Sequence, residues 1–232
     1  MKAACYMVTR NWYDKAVPSI KSMLINGNVD SIYVLTEDDV FPYDLPVIPI
    51  NVSGQQFFRR DGPNYDGTRF SWMVLMRAAL YQLFPDLDRI LSIDADTIVL
   101  GDMSGLWDLP MDDYYFAGAR EPWKSTGGKW YVQDLYVNAG VSFHNLRKLR
   151  DGKGDEVVAA LNNRKFTYLE QDALNIYCEG SILEIPSAYN ANSWTEPCDK
   201  DETIVVHYAA IANWWETDLV KDYKGRTVNE TR

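Results

Sequence analysis

The chain has 232 residues, 23 basic and 33 acidic side chains and a formal charge of −10. That length suits one domain with a proper core, and the 47% apolar, 24% charged mix excludes wholesale disorder. A phosphate-backbone binder needs a basic surface, so nucleic acid is excluded as an expected partner.

Ala3–Val8 reads as a buried strand, and Asp14–Leu24 as a helix with Val17, Ile20, Met23 and Leu24 roughly on one face. Ile32–Leu35 and Val47–Ile50 are two further apolar runs. Residues 51–67 lack periodicity and read as a long loop, of the kind that is uncommon unless functional. The clearest predicted helix is Thr68–Phe84, whose Trp72, Leu75, Met76, Ala79, Leu80 and Leu83 form one stripe, with Arg77 off it. Arg89–Ile93 is a strand, followed by Asp94-Ala95-Asp96 and the run Thr97–Leu100. Alternating strands and helices predict an α/β fold with a parallel sheet, and such sheets bind ligands beyond the carboxyl ends of their strands. In the second half, Tyr114–Ala119, Tyr136–Phe143 and Thr203–Tyr208 read as strands. A Gly-rich loop joins the first two. Asn145–Asn163 reads as a broken helix, Glu170–Tyr177 as a short one, and the C-terminal stretch as a polar tail.

Cys5, Cys178 and Cys198 form neither a metal pair nor a disulfide framework, which points to a reducing, cytoplasmic location. No leader-like segment precedes the first strand, and no apolar run approaches the roughly 20 residues that span a bilayer. The Asn229-Glu230-Thr231 sequon carries no meaning in that compartment.

Asp-x-Asp occurs three times, at 86/88, 94/96 and 199/201, and only the middle pair ends a buried strand. Two carboxylates held together raise each other's pKa unless a cation sits between them. Oxygen ligands without a thiolate cluster suit Mn²⁺ or Mg²⁺ rather than Zn²⁺. The competing reading makes Asp94 and Asp96 turn formers. Asp94-Ala95-Asp96-Thr97 also approximates the DxDxT of haloacid-dehalogenase-like phosphatases, with its threonine one residue early, though that class places its motif on the first strand. His144 reads as structural. His207, ending Ile204-Val205-Val206, would emerge on a strand rim.

Phe70–Leu109 resembles the retaining glycosyltransferases of family 8, which include glycogenin and bacterial lipopolysaccharide galactosyltransferases. Four further stretches agree in order: Val8–Tyr13, Tyr136–Val141, Gln171–Asn175, and Val206-His207-Tyr208 through Trp215. The resemblance implies a single GT-A-type, Rossmann-like α/β domain with a central mixed, mainly parallel sheet. Residues 1–100 would be its nucleotide half, and 101–232 its acceptor and closing half, with loops 51–67 and 120–134 shaping the acceptor pocket. It implies a UDP-sugar donor, a carbohydrate or glycoconjugate acceptor, and Mn²⁺, with Mg²⁺ as an alternative, held by Asp94, Asp96 and His207. Thr9, Asn11, Tyr13, Arg77 and Ala95 match nucleotide positions, with Tyr13 a stacker on uracil. Asn138, Ala139 and Asp172 match sugar positions. Gln171, with Glu170 before it, matches the catalytic position at the anomeric carbon. UDP leaves as an anionic diphosphate, so positive charge aimed at it lowers the barrier. Two departures stand out. Glu170 replaces the usual Asp, and Asn213 and Ala210 stand where the family has a lysine and a glycine. The lysine's loss makes a non-catalytic or weakly active UDP-sugar-binding protein the alternative.

Overall fold

The computed structural model describes residues 1–66, 70–125 and 134–228. Nine strands are found among them: β1 Ala3–Met7, β2 Ser31–Thr36, β3 Ile48–Asn51, β4 Arg89–Ile93, β5 Thr97–Val99, β6 Phe116–Arg120, β7 Val137–Asn145, β8 Ile182–Ile185 and β9 Val205–His207. Seven form the central sheet in the order β3-β2-β1-β4-β7-β6-β8, and β5 pairs with β9 in a small antiparallel ribbon. Only β7 runs against its neighbours β4 and β6. The other central pairings are parallel, giving the expected mixed, mainly parallel sheet.

Both faces of this sheet are covered, as parallel sheets require. On one side Met73, Leu75, Met76 and Leu80 pack with Leu161, Leu169 and Leu174. On the other, Tyr13, Val17, Ile20 and Met23 of the Tyr13–Asn26 helix pack on Tyr6, Leu91 and Val141. β7 is buried along its entire length, so its polar residues Asn138, Ser142, His144 and Asn145 are buried with the apolar ones. The sheet passes residue 100 without a break, because β4 pairs with β7 from Arg89↔Asn145 to Ile93↔Val141.

The helix expected over Thr68–Phe84 differs. Residues 67–69 lie outside the described residues, Trp72–Ala79 is a 3₁₀ helix, and only Leu80–Leu83 is α-helical. Burial is also wider than the expected stripe, of which Leu75, Met76, Ala79 and Leu80 are buried. Met73, Arg77, Ala78 and Tyr81 are buried, whereas Trp72 and Leu83 are only half-buried. This segment is enclosed by the sheet and by the Lys153–Asn163 and Leu169–Tyr177 helices, so more than one face must be inward. Two elements escape the sequence reading. β8 is a short edge strand containing Glu184, and the helix Asp218–Gly225 buries little beyond Val220 and Tyr223, packed near Ile98 and Trp214. Cys5 and Cys178 are buried and, like Cys198, unpaired. No described helix is long and apolar enough to cross a membrane.

Candidate active site at the strand rim

β4 and β5 are consecutive in the chain but belong to different sheets, and the turn between them holds Asp94, Ala95 and Asp96. The turn is fixed by its backbone: Asp94 N–H donates to Gly140 O at 2.8 Å, and Tyr208 N–H donates to Asp96 O at 2.8 Å. Thr97 Oγ1 donates to Asp94 O at 2.8 Å and sits 2.8 Å from Ser19 Oγ, so the threonine that follows the aspartate pair is a buried brace. Opposite, β9 places His207 across from Thr97. Ligand atoms of Asp94, Asp96 and His207 lie within 4.8 Å of one another. His207 Nε2 is 3.3 Å from Asp96 Oδ1 and 3.9 Å from Asp94 Oδ2. Burial works against a charged His207, but the Asp96 and Asp94 carboxylates outweigh it and raise its pKa. Conversely, burial would lift Asp96, yet His207 holds its pKa low.

This donor set fits a hard divalent ion. It offers two carboxylates and one imidazole, and His207 Nδ1 already bonds to Asn190 Oδ1 at 2.8 Å, leaving Nε2 toward the carboxylates. The ring fits here because residue 140 is glycine; a Cβ at Gly140 would meet His207 Cε1 at 2.1 Å.

Arg77 lies beneath the site at 3% exposure. Its Nε donates to Ser92 Oγ at 2.9 Å, its Nη1 to Glu170 Oε1 at 2.5 Å, and its Nη2 to Asp94 Oδ1. The guanidinium is bonded to the protein's own groups, and through Asp94 it reaches the edge of the site where the nucleotide contact was expected. Glu170 is likewise internal: burial raises its pKa to about 7 against the opposing pull of Arg77. Asp172, expected at the sugar, is fully buried. It accepts from the Tyr136 hydroxyl at 2.5 Å and from Tyr168 N–H at 2.8 Å, so its carboxylate holds neighbours instead of facing a ligand.

Gln171 remains half-buried at the rim. Ala139 N–H donates to its Oε1 at 2.9 Å, and its Nε2 donates to the Tyr136 hydroxyl at 3.1 Å. Asn138, beside it, donates from Nδ2 to Glu121 Oε1 at 2.6 Å. Thr9 Oγ1 donates to Asn11 Oδ1 at 2.7 Å just beyond β1. Tyr13 is 4% exposed, edge-on to Phe41, with its hydroxyl donating to Asp38 at 3.1 Å and accepting from Glu37 N–H at 2.9 Å. It supports the rim from below, and its ring is no open stacking face. The sequence reading missed Glu121 and Asn190, both buried polar residues of the same network. Glu121 directly follows a strand and could have been flagged on that ground; Asn190 has no local signal.

The chain matches the model of the family described as "Glycosyl transferase family 8" over residues 47–218, well over half its length. A lipopolysaccharide 1,2-glucosyltransferase of Escherichia coli is 28% identical over 169 residues, covering 61% of this chain and 50% of the relative. The chain spans about half the length of the curated relatives it matches first. Among solved structures, the WbbM bifunctional glycosyltransferase superposes with a TM-score of 0.75 at 16% identity, over 98% of this chain and 50% of that one. Galactosyltransferase LgtC, solved with donor and acceptor sugar analogues, gives 0.66 at 20% identity, over 99% and 98%. These likenesses show a GT-A fold, and nothing among them points to a phosphatase. On its family match, the chain belongs to glycosyltransferase family 8.

Proposed function

We propose that the protein is a retaining hexosyltransferase that moves a sugar from a UDP-sugar to a carbohydrate or glycoconjugate acceptor, with Mn²⁺ as the metal and Mg²⁺ as an alternative. The observation that carries this reading is the cluster of Asp94, Asp96 and His207 at the junction of β4, β5 and β9. A bound divalent ion would supply Lewis-acid charge for the diphosphate leaving group. The chain's own residues do the positioning. Asn138 and Ala139 line the sugar side, and Gln171 stands against the anomeric carbon with its amide oxygen held by Ala139 N–H. Thr9 and Asn11 meet the nucleoside, and Ala95 lies between the two carboxylates. Glu170 and Asp172 act through Arg77 and Tyr136 respectively.

The test is thermal stabilisation by UDP in Mn²⁺ and in chelator. A ligand at 100 times its dissociation constant adds about 2.7 kcal/mol. That gain is expected with Mn²⁺ only, and Asp96→Ala should abolish it. Gln171→Ala should keep the UDP gain and lose transfer. Equal stabilisation in chelator would remove the metal from the proposal.

A further inference from the structure

His207 has two ring nitrogens, and only an unprotonated Nε2 can ligate an ion between Asp94 and Asp96. An ion on Nε2 leaves the ring's proton on Nδ1, where it needs an acceptor; an amide atom of Asn190 lies 2.8 Å from Nδ1, and the Asn192 amide nitrogen stands further off at 3.4 Å. An amide can present either oxygen or nitrogen, so the question becomes what fixes the Asn190 amide.

Two backbone N–H groups fix it independently. Gly140 N–H donates at 2.9 Å to Asn138 Oδ1. A backbone N–H cannot reverse its role, so that atom of Asn138 is oxygen, and the Asn138 nitrogen points at the Glu121 carboxylate, 2.6 Å away. Asn190 approaches Asn138 Oδ1 at 2.9 Å and must therefore present its own nitrogen there. On the other side, Trp194 N–H donates at 2.8 Å to Asn192 Oδ1. The Asn192 nitrogen is thereby turned toward Asn190, where it donates at 3.0 Å to both the backbone carbonyl and Oδ1. Both routes leave the Asn190 oxygen facing His207 Nδ1 at 2.8 Å. Asn190 is itself completely buried, and Thr195 Oγ1 donates to its carbonyl at 2.9 Å, so its side chain has no solvent to turn into.

We propose that Asn190 is a positioning residue. It holds His207 as the Nδ1–H tautomer with Nε2 free to ligate, and it ties that ligand to Asn138 on the sugar side. The two ends of its amide have different tasks. Its oxygen serves the metal ligand, and its nitrogen serves Asn138. The second task rests on the metal and donor roles proposed above. The first rests on the metal role alone. The network also gives a physical reason for an amide at 190: an Asp would still accept from His207 but would set a second oxygen against Asn138 Oδ1.

The first measurement uses the chain saturated with UDP and with Mg²⁺, a diamagnetic substitute for Mn²⁺, and carrying a ¹⁵N-histidine label. Long-range ¹H–¹⁵N spectra should show His207 protonated at Nδ1. His144→Gln leaves a single ring and settles the assignment. A wild-type His207 protonated at Nε2 overturns the proposal. The second measurement counts free Mn²⁺ by electron paramagnetic resonance, beside UDP-sugar and UDP affinities. Asn190→Leu should weaken Mn²⁺ binding by about 10- to 100-fold. Asn190→Asp, nearly isosteric, should keep Mn²⁺ binding within about threefold while losing the advantage of UDP-sugar over UDP. Wild-type Mn²⁺ affinity in Asn190→Leu also overturns the proposal. A wild-type chain that binds neither Mn²⁺ nor Mg²⁺ rejects the metal reading and, with it, the first of the two tasks of Asn190.

Discussion

Replacing Arg77 with methionine removes the one buried cation that Asp94 and Glu170 share. The side chain is 3% exposed and all three of its nitrogens are engaged: Nε by Ser92, Nη1 by Glu170 and Nη2 by Asp94. Methionine conserves much of the volume but leaves Glu170 buried without a counter-charge. Breaking a buried pair by deleting one partner costs about 3–5 kcal/mol. For a chain of this length each kcal/mol lowers Tm by about 2–4 °C, so a fall of roughly 6–20 °C is expected. The loss should be recovered in part by Arg77→Met with Glu170→Gln, because a neutral amide tolerates burial better than an unpaired carboxylate. Equilibrium urea unfolding of the wild type and the two variants gives the comparison, with UDP affinity read on the same samples. If Arg77→Met weakened UDP binding while leaving stability within about 1 kcal/mol, the guanidinium would be a ligand contact and the internal role assigned to it would be wrong.

His144 is fully buried, and burial, helped by the charge of Arg77, depresses its pKa to about 3. The unfolded chain binds that proton near pH 6.5, so stability is lost as pH falls from about 6.5 toward 3, by up to about 1.4 kcal/mol per pH unit. His144→Asn should flatten this acid limb in urea midpoints measured between pH 4 and 7; an unchanged limb would show that His144 is not buried neutral. Ala210 has φ +61°. Ala210→Gly should stabilise by about 0.5–1 kcal/mol, the relief of left-handed strain less the extra freedom of the unfolded chain, and a lowered urea midpoint would contradict the turn.

Elements whose burial is local were readable. β4 is bounded in the structure as its apolar run suggested, and the carboxylates at its end were visible because acidic residues rarely finish a buried strand. The 3₁₀ form of Trp72–Ala79 was not readable, since periodicity reports one inward face and this segment has several. β8 was hidden because four residues with a glutamate among them give too short a pattern. At the site, residue types located the metal cluster, but they did not separate groups that face the rim from groups that support it. Arg77, Glu170 and Asp172 were expected as contacts, and each is buried and bonded to the protein's own groups, a feature that depends on which side of a helix meets the sheet. Asn190 was unreadable for a related reason. Its partners are residues 138 and 207, which are distant in the chain and are joined only because the Ser187–Asn190 turn packs against both β7 and β9.

The departures at 210 and 213 can be weighed on backbone grounds. Asn213 has φ +55° and begins the 3₁₀ turn Trp214–Glu216, whose Trp214 is buried between Trp12 and Tyr208. Asparagine accepts left-handed backbone more readily than lysine, so residue 213 suits this turn better as it stands. The consequence falls on charge. Among the described residues around the rim, Arg10 pairs with Asp38, Arg120 with Glu184, and Arg77 is enclosed by two carboxylates. Lys15 lies 3.8 Å over the Trp215 ring and 4.8 Å over that of Trp12. Each of these cations is already engaged by the protein, and the chain as a whole is strongly acidic. A diphosphate approaching Asp94 and Asp96 would meet like charge unless a divalent ion were bound first. On the proposed function, the absence of a lysine at 213 therefore makes donor binding depend on the metal more steeply than it would with that lysine present.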